Sequence, residues 1–287
     1  MFHVEHMIKK EPPFKAKDHL VSKETFQIKW NEKGNYAETS LPNGTVLSRY
    51  YETEDYNSHK TETKSILDLL YKTVQKSMLY YKAGFVRPQI KGNVLDFGGG
   101  VGVFAAYLAH RKFETTVVEP SKKGHEVCTK KGLNTYLSVA DLPKTKRYSA
   151  ITMWHVLEHL TSPEKTLQEL HALMEADALL IVAVPNFNSH DARHYASEWA
   201  ALDVPRHLWH FTHKGLTDLV EPLGFVLKAQ KPLWFDVFYI SYLSEKNSNK
   251  KLSFLRGLLV GAICTFKALF DGEHSSNIYV FRKKAIH

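Results

Sequence analysis

The chain has 287 residues, of which 44% are hydrophobic and 24% are charged. This composition is typical of a folded globular protein and excludes a disordered, collagen-like or low-complexity chain. The net charge of +8 comes from basic residues spread along the sequence without an arginine-rich block, so it indicates solubility rather than a nucleic-acid partner.

The two cysteines, Cys128 and Cys264, have neither the pairing of a disulfide scaffold nor the spacing of a zinc site. This usage fits a reducing compartment. Residues 1–15 lack the apolar core of a signal peptide. We therefore expect a cytoplasmic protein.

Residues 1–60 are polar and interrupted by proline and glycine, and we interpret them as an N-terminal extension. Within it, residues 25–30 and 36–40 predict a β-hairpin. Residues 61–287 form the predicted main domain. It begins with a helix over 62–85, where apolar residues recur on one face.

From residue 92 onward, short apolar strands alternate with amphipathic helices. This alternation predicts a parallel sheet with helices on both faces. The predicted strands are 93–97, 115–119, 134–139, 149–154, 178–184, 225–231 and 276–283. The predicted helices are 102–111, 121–131, 163–174, 213–223, 235–244 and 252–270.

Two segments interrupt the alternation. Residues 185–212 are rich in aromatic residues and histidine, and we expect them to be irregular. We interpret 185–212 and 232–275 as insertions that form the substrate side of the site or a lid.

The most informative motif follows the first strand of the sheet. The carboxylate of Asp96 ends the strand, and four glycines follow before the next helix: Gly98, Gly99, Gly100 and Gly102. A backbone without side chains lets a nucleotide-like ligand approach closely.

Two features separate this turn from a dinucleotide site. Val103 stands where the third glycine of that fingerprint belongs, and the carboxylate of Asp96 would repel a diphosphate but attract a cation. A ligand that carries an ammonium group and an adenosine suits the turn better. S-adenosylmethionine (SAM) is such a ligand, and a nicotinamide oxidoreductase is disfavoured.

Further polar residues follow the next three strands. Glu119 ends the second strand, where an acid can bind both ribose hydroxyls. Asp141 follows the third strand and can accept a hydrogen bond from an adenine amino group. Trp154 and His155 follow the fourth strand. Open α/β sheets bind ligands at this edge, where the carboxyl ends of the strands meet.

With these features in register, the chain resembles the class I SAM-dependent methyltransferases. Within them it looks like the branch that contains the ubiquinone-biosynthesis O-methyltransferases and uncharacterised relatives. The resemblance implies a Rossmann-like, mostly parallel seven-stranded sheet with an antiparallel last strand, and SAM as cofactor with S-adenosylhomocysteine as product. The predicted cofactor-binding residues are Asp96, Gly98, Gly99, Gly100, Gly102, Glu119, Pro120, Asp141, Leu142, Trp154 and His155.

The resemblance also bears on the acceptor. The chain lacks the Asn/Asp-Pro-Pro-Tyr motif that marks methylation of amino groups in bases and glutamine, and it has residues 154–157 in that place. We therefore expect transfer to an oxygen or carbon atom of a small molecule, lipid or glycan intermediate, whose identity the sequence does not give. The alternatives are an RNA or protein methyltransferase, a non-catalytic SAM-binding protein and, least favoured, a zinc hydrolase that would use the His-x-x-Glu-His segment at residues 155–159.

A hydroxyl acceptor can need a general base, and imidazole titrates near neutral pH. His207 is the first candidate and His155 the second, although His207 could instead anchor its loop. We also assign four residues to the substrate side or a lid: Tyr50, Tyr51, Tyr56 and His210. The alternative for the tyrosines is packing against the first helix.

Residues 155–159 spell His-Val-Leu-Glu-His, which matches the inverted zincin motif. That motif needs a helix to bring both imidazoles to one zinc ion. Here it follows a strand directly, so we predict no metal. The N-terminal region resembles a module that is a cysteine-bearing zinc ribbon in some relatives, but no cysteine precedes Cys128.

Residues 252–270 carry a one-sided apolar stripe that Arg256 and Lys267 interrupt. The stripe predicts core packing or a lid, with peripheral membrane contact as the alternative. The sequence does not indicate an oligomeric state.

Overall fold

The computed structural model describes residues 14–33, 35–51, 66–86 and 92–284. The chain divides into two compact units. The first unit comprises Met1–Thr61, Val184–Thr217 and Pro232–Asn277, and the second comprises Glu62–Ala183, Asp218–Lys231 and Ile278–His287. The predicted N-terminal extension and both predicted insertions therefore fall in the first unit.

The strands, in chain order, are β1 (Phe14–Lys17), β2 (Thr25–Trp30), β3 (Tyr36–Ser40), β4 (Asn93–Phe97), β5 (Glu114–Val118), β6 (Asn134–Tyr136), β7 (Tyr148–Trp154), β8 (Met174–Pro185), β9 (Trp209–Phe211), β10 (Phe225–Pro232) and β11 (Ser276–Lys283). The helices are α1 (Ile66–Val86), α2 (Val103–Ala109), α3 (Lys122–Lys130), α4 (Pro163–Ala172), α5 (His190–Tyr195), α6 (His213–Val220), α7 (Asp236–Asn247) and α8 (Ser253–Asp271).

The larger sheet has seven strands in the order β10-β11-β8-β7-β4-β5-β6. It is mostly parallel, with an antiparallel pair at one end, as the sequence predicts. Its central strands are continuous buried runs, because helices cover both faces of a parallel sheet.

The strand order indicates where a ligand site is expected. From β4 the chain moves outward through β5 and β6, and it then returns to the other side of β4 with β7 and β8. The order therefore reverses between β4 and β7. In open α/β sheets, the crevice at the carboxyl ends of the strands at this reversal is where ligands bind.

Three predicted boundaries in the second unit are wrong. The fifth strand begins at Met174 instead of residue 178, and α4 ends earlier, at Ala172. Hydrophobic periodicity does not reveal the early part of β8, because residues 175–177 are exposed. The pairing of β8 with β7 also shifts register there. The third strand ends at Tyr136, since residues 139–141 form a capped 3-10 turn.

The first unit contains a four-stranded sheet in the order β1-β2-β3-β9. The hairpin at residues 25–40 is present as β2 paired antiparallel with β3. We expected residues 185–212 to be irregular, but they contain α5 and β9. Periodicity cannot reveal β9: it has three residues, and it exists because Tyr36–Ser40 offers it an edge to pair with.

A buried guanidinium lies at the centre of the first unit. Arg206 is 1% exposed, and its nitrogens donate to Asp203, to Asp18 at 2.9 Å and to the carbonyl of Tyr50 at 3.1 Å. Burial alone would raise the pKa of Asp18, but the hydrogen bonds from Arg206 and from the backbone N–H groups of Ser22 and Val21 outweigh it. The pKa of Asp18 is therefore lowered to about 2.

Replacing Arg206 with methionine keeps the side-chain volume but leaves Asp18 buried without its cation. We expect Arg206→Met to lower the free energy of unfolding by about 3–5 kcal/mol, measured by urea denaturation. Arg49→Met is the control, because Arg49 is exposed and its ion pair with Glu24 is screened by water. Equal losses in the two variants would contradict this account.

Candidate cofactor site at the carboxyl ends of the sheet

The glycine turn joins β4 to α2. The N–H of Gly98 donates to the carbonyl of Val118 at 2.8 Å, and Gly102 caps α2 in a left-handed conformation. At Gly98 the φ angle is +70°, and a Cβ atom there would lie 2.5 Å from the side chain of Val156. Only glycine fits this position. The turn thus presents bare backbone at the edge of the sheet, where the sequence predicts the cofactor.

Asp96 lies beneath this turn and is almost fully buried. Its Oδ1 accepts a hydrogen bond from the hydroxyl of Thr152 at 2.7 Å, across the β4–β7 pair. Burial raises the pKa of Asp96 to about 6, and the hydrogen bond from Thr152 and the charge of Lys82 offset only part of that effect. The carboxyl group is therefore poised to gain from a further cation.

Glu119 follows β5 and is also buried. Its Oε2 accepts from the N–H of Gly100 at 2.7 Å, and its Oε1 accepts from the N–H of Ser121 at 2.9 Å. The side chain thus ties the glycine turn to the start of α3. A carboxylate offers roughly four acceptor positions, so Glu119 can still bind hydroxyl groups. Pro120, beside it, is exposed.

Trp154 ends β7 and forms one wall of this edge. Its ring meets Phe104 edge-on with centroids 5.2 Å apart, and the Nζ of Lys82 lies 4.6 Å from its ring centroid. Its buried Nε1 has no hydrogen-bond partner among the described residues. The ammonium group of Lys82 and the ring of Trp154 are therefore in contact beside Asp96.

His155 has a left-handed backbone with φ of +55°, which is uncommon for a residue other than glycine. Its N–H donates to the carbonyl of Ala183 at 2.9 Å, and its Nδ1 lies 3.3 Å from Oε1 of Glu158. Residues 157–159 form a 3-10 turn, not an α-helix. The segment therefore lacks the helix on which the inverted zincin motif depends.

Asp141 also makes a contact within its own turn. Its Oδ2 accepts from both the N–H and the hydroxyl of Ser138, at 3.0 and 2.8 Å, and so caps the turn at residues 139–141. The side chain is exposed, whereas that of Leu142 is buried. Asp141 keeps acceptor positions for an adenine amino group, and that role stays a prediction.

The second unit thus brings together Asp96, the glycine turn, Glu119, Trp154 and His155. Sequence reasoning missed Lys82, Thr152 and Cys128, whose Sγ lies 3.3 Å from the carbonyl of Gly100. No local signal could have indicated them, because each reaches the site from another helix or strand.

The remaining predicted residues that the structure describes belong to the first unit. His207 is buried, and its Nδ1 lies 2.8 Å from the carbonyl of Ala201. Because a carbonyl only accepts, Nδ1 carries the proton, and Nε2 is the acceptor nitrogen of the neutral ring. The Nε2 lies 3.9 Å from Oδ2 of Asp203.

His210 and the tyrosines are held by partners within the first unit. The single hydroxyl proton of Thr39 goes to the carbonyl of His207, so the Nε2 of His210 donates to that hydroxyl, at 2.9 Å. Tyr50 is buried and its hydroxyl donates to Glu24, which fits the packing alternative, and its assignment to the substrate side or a lid stays a prediction. The hydroxyl of Tyr51 reaches the carbonyl of Arg206 at 3.4 Å. Tyr56 lies outside the described residues.

The fold and this strand-end site define a class I SAM-dependent methyltransferase. The chain belongs to the family described as "Methyltransferase domain", whose model matches residues 42–230, more than half of the chain. S-adenosyl-L-methionine is its cofactor. No curated protein sequence matches the chain significantly.

Solved structures share this fold. The 1,6-didemethyltoxoflavin-N1-methyltransferase of Burkholderia thailandensis is 15% identical with a TM-score of 0.52, and the match covers 94% of this chain and 100% of that one. A mycolic acid cyclopropane synthase is 13% identical with a TM-score of 0.52, covering 73% and 84%. The [4+2]-cyclase SpnF is 15% identical with a TM-score of 0.51, covering 74% and 82%. These structures do not single out the ubiquinone-biosynthesis branch.

The turn should depend on Gly98 for two reasons, its backbone angle and its contact with Val156. Gly132→Ala tests the angle alone, because φ is +73° there and nothing lies within 4 Å of an added Cβ. We expect Gly132→Ala to cost about 1–2 kcal/mol in unfolding free energy, and Gly98→Ala to cost more and to abolish binding of S-adenosylhomocysteine by calorimetry. Retained binding in Gly98→Ala would contradict the proposed turn.

Cofactor binding should depend on the ionisation of Asp96. A cationic amino-acid tail stabilises the carboxylate, which is lost by protonation as the pH falls through about 6. We expect affinity for S-adenosylhomocysteine to fall by about tenfold between pH 7 and pH 5, measured by calorimetry. In Asp96→Asn this dependence should disappear. The same pH dependence in both proteins would show that another group is responsible.

Proposed function

We propose that this chain transfers a methyl group from SAM to an oxygen or carbon nucleophile of a small-molecule, lipid or glycan-type acceptor. The observation that carries the proposal is the arrangement beneath and beside the glycine turn. A buried carboxyl group, Asp96, lies under bare backbone, and a second one, Glu119, lies at the end of the neighbouring strand. The pair offers one acid to an ammonium group and another to ribose hydroxyls.

The residues present fit the cofactor. Burial raises the pKa of Asp96 and so makes its carboxylate costly, and an ammonium group beside it would offset part of that cost. Lys82, over the ring of Trp154, offers a cation beside it for a carboxylate. The Nε1 of Trp154 offers a donor with no hydrogen-bond partner among the described residues. Glu119 is assigned to the ribose, and Asp141 with Leu142 to the adenine.

When bound, SAM supplies a methyl group on a sulfonium, whose S–C bond breaks as the bond from the acceptor nucleophile to carbon forms. The protein has to hold the acceptor in line with that bond and keep water away. A hydroxyl acceptor also releases a proton. His155 is a candidate base because Glu158 orients its ring and its backbone is strained, as backbones at functional sites often are.

His207 is the other candidate base. Its Nδ1–H donates to a backbone carbonyl, which fixes the tautomer, and the carboxylate of Asp203 lies on the Nε2 side. This is the arrangement of an oriented imidazole that can take a proton at Nε2. His210 is less suitable at Nε2, because that nitrogen already donates to Thr39.

The acceptor class rests on the segment after β7. Residues 154–157 are Trp-His-Val-Leu, and this differs from the motif of amino-group methylation. The toxoflavin-precursor enzyme is named an N1-methyltransferase, so nitrogen acceptors belong in any screen. The neighbour named as a [4+2]-cyclase shows that other activities occur on this fold, and it favours testing a non-methylating role as well.

The test has two stages. Calorimetry with SAM and S-adenosylhomocysteine comes first, followed by incubation of the chain with methyl-labelled SAM and separate lipid, glycan, small-metabolite, RNA and protein extracts. We expect label in an acceptor from the first three extracts, and none with Gly98→Ala. Cofactor binding without transfer to any extract would favour a non-catalytic SAM-binding protein. Label in RNA or protein would overturn the acceptor class.

Once an acceptor is known, the two histidines can be separated. If His207 is the base, His207→Ala should lower kcat by about 10²–10⁴-fold while leaving cofactor affinity unchanged. His155→Ala should weaken cofactor binding if it lines the cofactor pocket, as we predict. Unchanged kcat in His207→Ala would remove that residue from the mechanism.

A further inference from the structure

A large apolar surface covers one face of α8 in the first unit. Its residues are exposed although they are among the most hydrophobic of the chain: Phe254, Leu255, Leu258, Leu259, Ile263, Phe266, Leu269 and Phe270. Folded proteins rarely leave a contiguous patch of this kind in water unless it binds something. We call these eight residues the apolar face.

The opposite side of α8 packs against α7. It consists mainly of small residues, Gly257, Gly261, Cys264 and Ala268, all of which are buried. A Cβ at Gly257 would lie 2.6 Å from the Cα of Tyr242, so this packing needs a bare backbone. One side of α8 is therefore occupied within the unit, and the apolar face lies on the side that is exposed.

Basic residues border the apolar face on one edge. With about 100° between successive residues of a helix, Arg256 and Lys267 both lie just beyond Ile263. Arg256 is paired with Glu245, whereas the long cationic side chain of Lys267 can reach lipid headgroups while the apolar residues beside it are buried in the bilayer. An amphipathic helix that lies in a membrane surface has this arrangement.

The surrounding charge is positive as well. Three acids near α8 have local contacts: Glu245 forms an ion pair with Arg256, Asp271 lies 2.9 Å from the ring of His190, and Glu273 accepts a hydrogen bond from the amide of Asn186. Lys246, Lys250, Lys251 and Lys267 are exposed, and none has an acidic partner within 4 Å in the part of the chain that the structure describes. This surface would repel a second copy of the chain and attract an anionic surface.

We propose that the apolar face of α8 lies in the plane of an anionic lipid bilayer and holds the protein peripherally at the membrane. By length and composition alone α8 could also span a bilayer. Spanning would require it to leave α7, against which its small residues pack. The proposal does not depend on the identity of the methyl acceptor.

Co-sedimentation of the full chain with vesicles tests the proposal. We expect binding to vesicles of phosphatidylcholine with phosphatidylglycerol, and weaker binding to phosphatidylcholine alone or at high salt. Leu259→Glu should lower the partition coefficient by at least about tenfold, since it removes an apolar side chain that the bilayer would bury. Val46→Glu is the matched control, because Val46 and Leu259 are both 63% exposed.

Three further variants complete the design. Lys250→Ala and Lys251→Ala should each weaken binding to the anionic vesicles by about fivefold and leave binding to phosphatidylcholine unchanged. Phe266→Glu, at an equally exposed site, repeats the Leu259 test if that variant folds poorly, as judged by S-adenosylhomocysteine binding.

Several results would overturn the proposal. The wild-type chain could fail to bind either vesicle, or Leu259→Glu and Val46→Glu could behave alike. Light scattering could reveal a dimer that Leu259→Glu converts to a monomer, which would make a second copy the occupant of the apolar face. Resistance of the cellular protein to alkaline carbonate would indicate a spanning helix instead of a peripheral one.

Discussion

The buried carboxyl group of Asp96 is the constraint on which the cofactor site depends. It lies at the point where the strand order reverses, fixed by the hydroxyl of Thr152 on the neighbouring strand and covered by the glycine turn. Burial makes its negative charge costly, and this cost falls when a cation binds. This acid can therefore favour the amino-acid end of SAM over a diphosphate.

In the first unit, a buried charge has a structural role. Arg206 is enclosed by two carboxylates and a backbone carbonyl, and it joins segments that lie far apart in the sequence. The protonated ring nitrogens of His207 and His210 can be assigned from their partners. The Nδ1 of His207 donates to a carbonyl, and the Nε2 of His210 donates to a hydroxyl. These hydrogen bonds restrict the orientation of both imidazoles, which any role in proton transfer requires.

The extent to which sequence predicted the site differs from residue to residue. The glycine turn, Glu119 and Trp154 could be predicted because each follows directly from a strand end, and strand ends are visible as changes in hydrophobic period. Asp141 could be located, but not its bond to Ser138. Lys82 and Thr152 could not be found, since a helix residue and a buried strand residue carry no local sign of the neighbour that they will meet.

The sequence by itself determined the family, the cofactor and the alternation of strands and helices, because these depend on local patterns and on motifs with fixed spacing. Only the tertiary structure decided that β9 pairs with β3, that Tyr50 is buried, and which side of α8 is covered. A stripe of apolar residues indicates that a helix has two different faces. Whether protein, lipid or water lies against the apolar one depends on packing with residues that are distant along the chain.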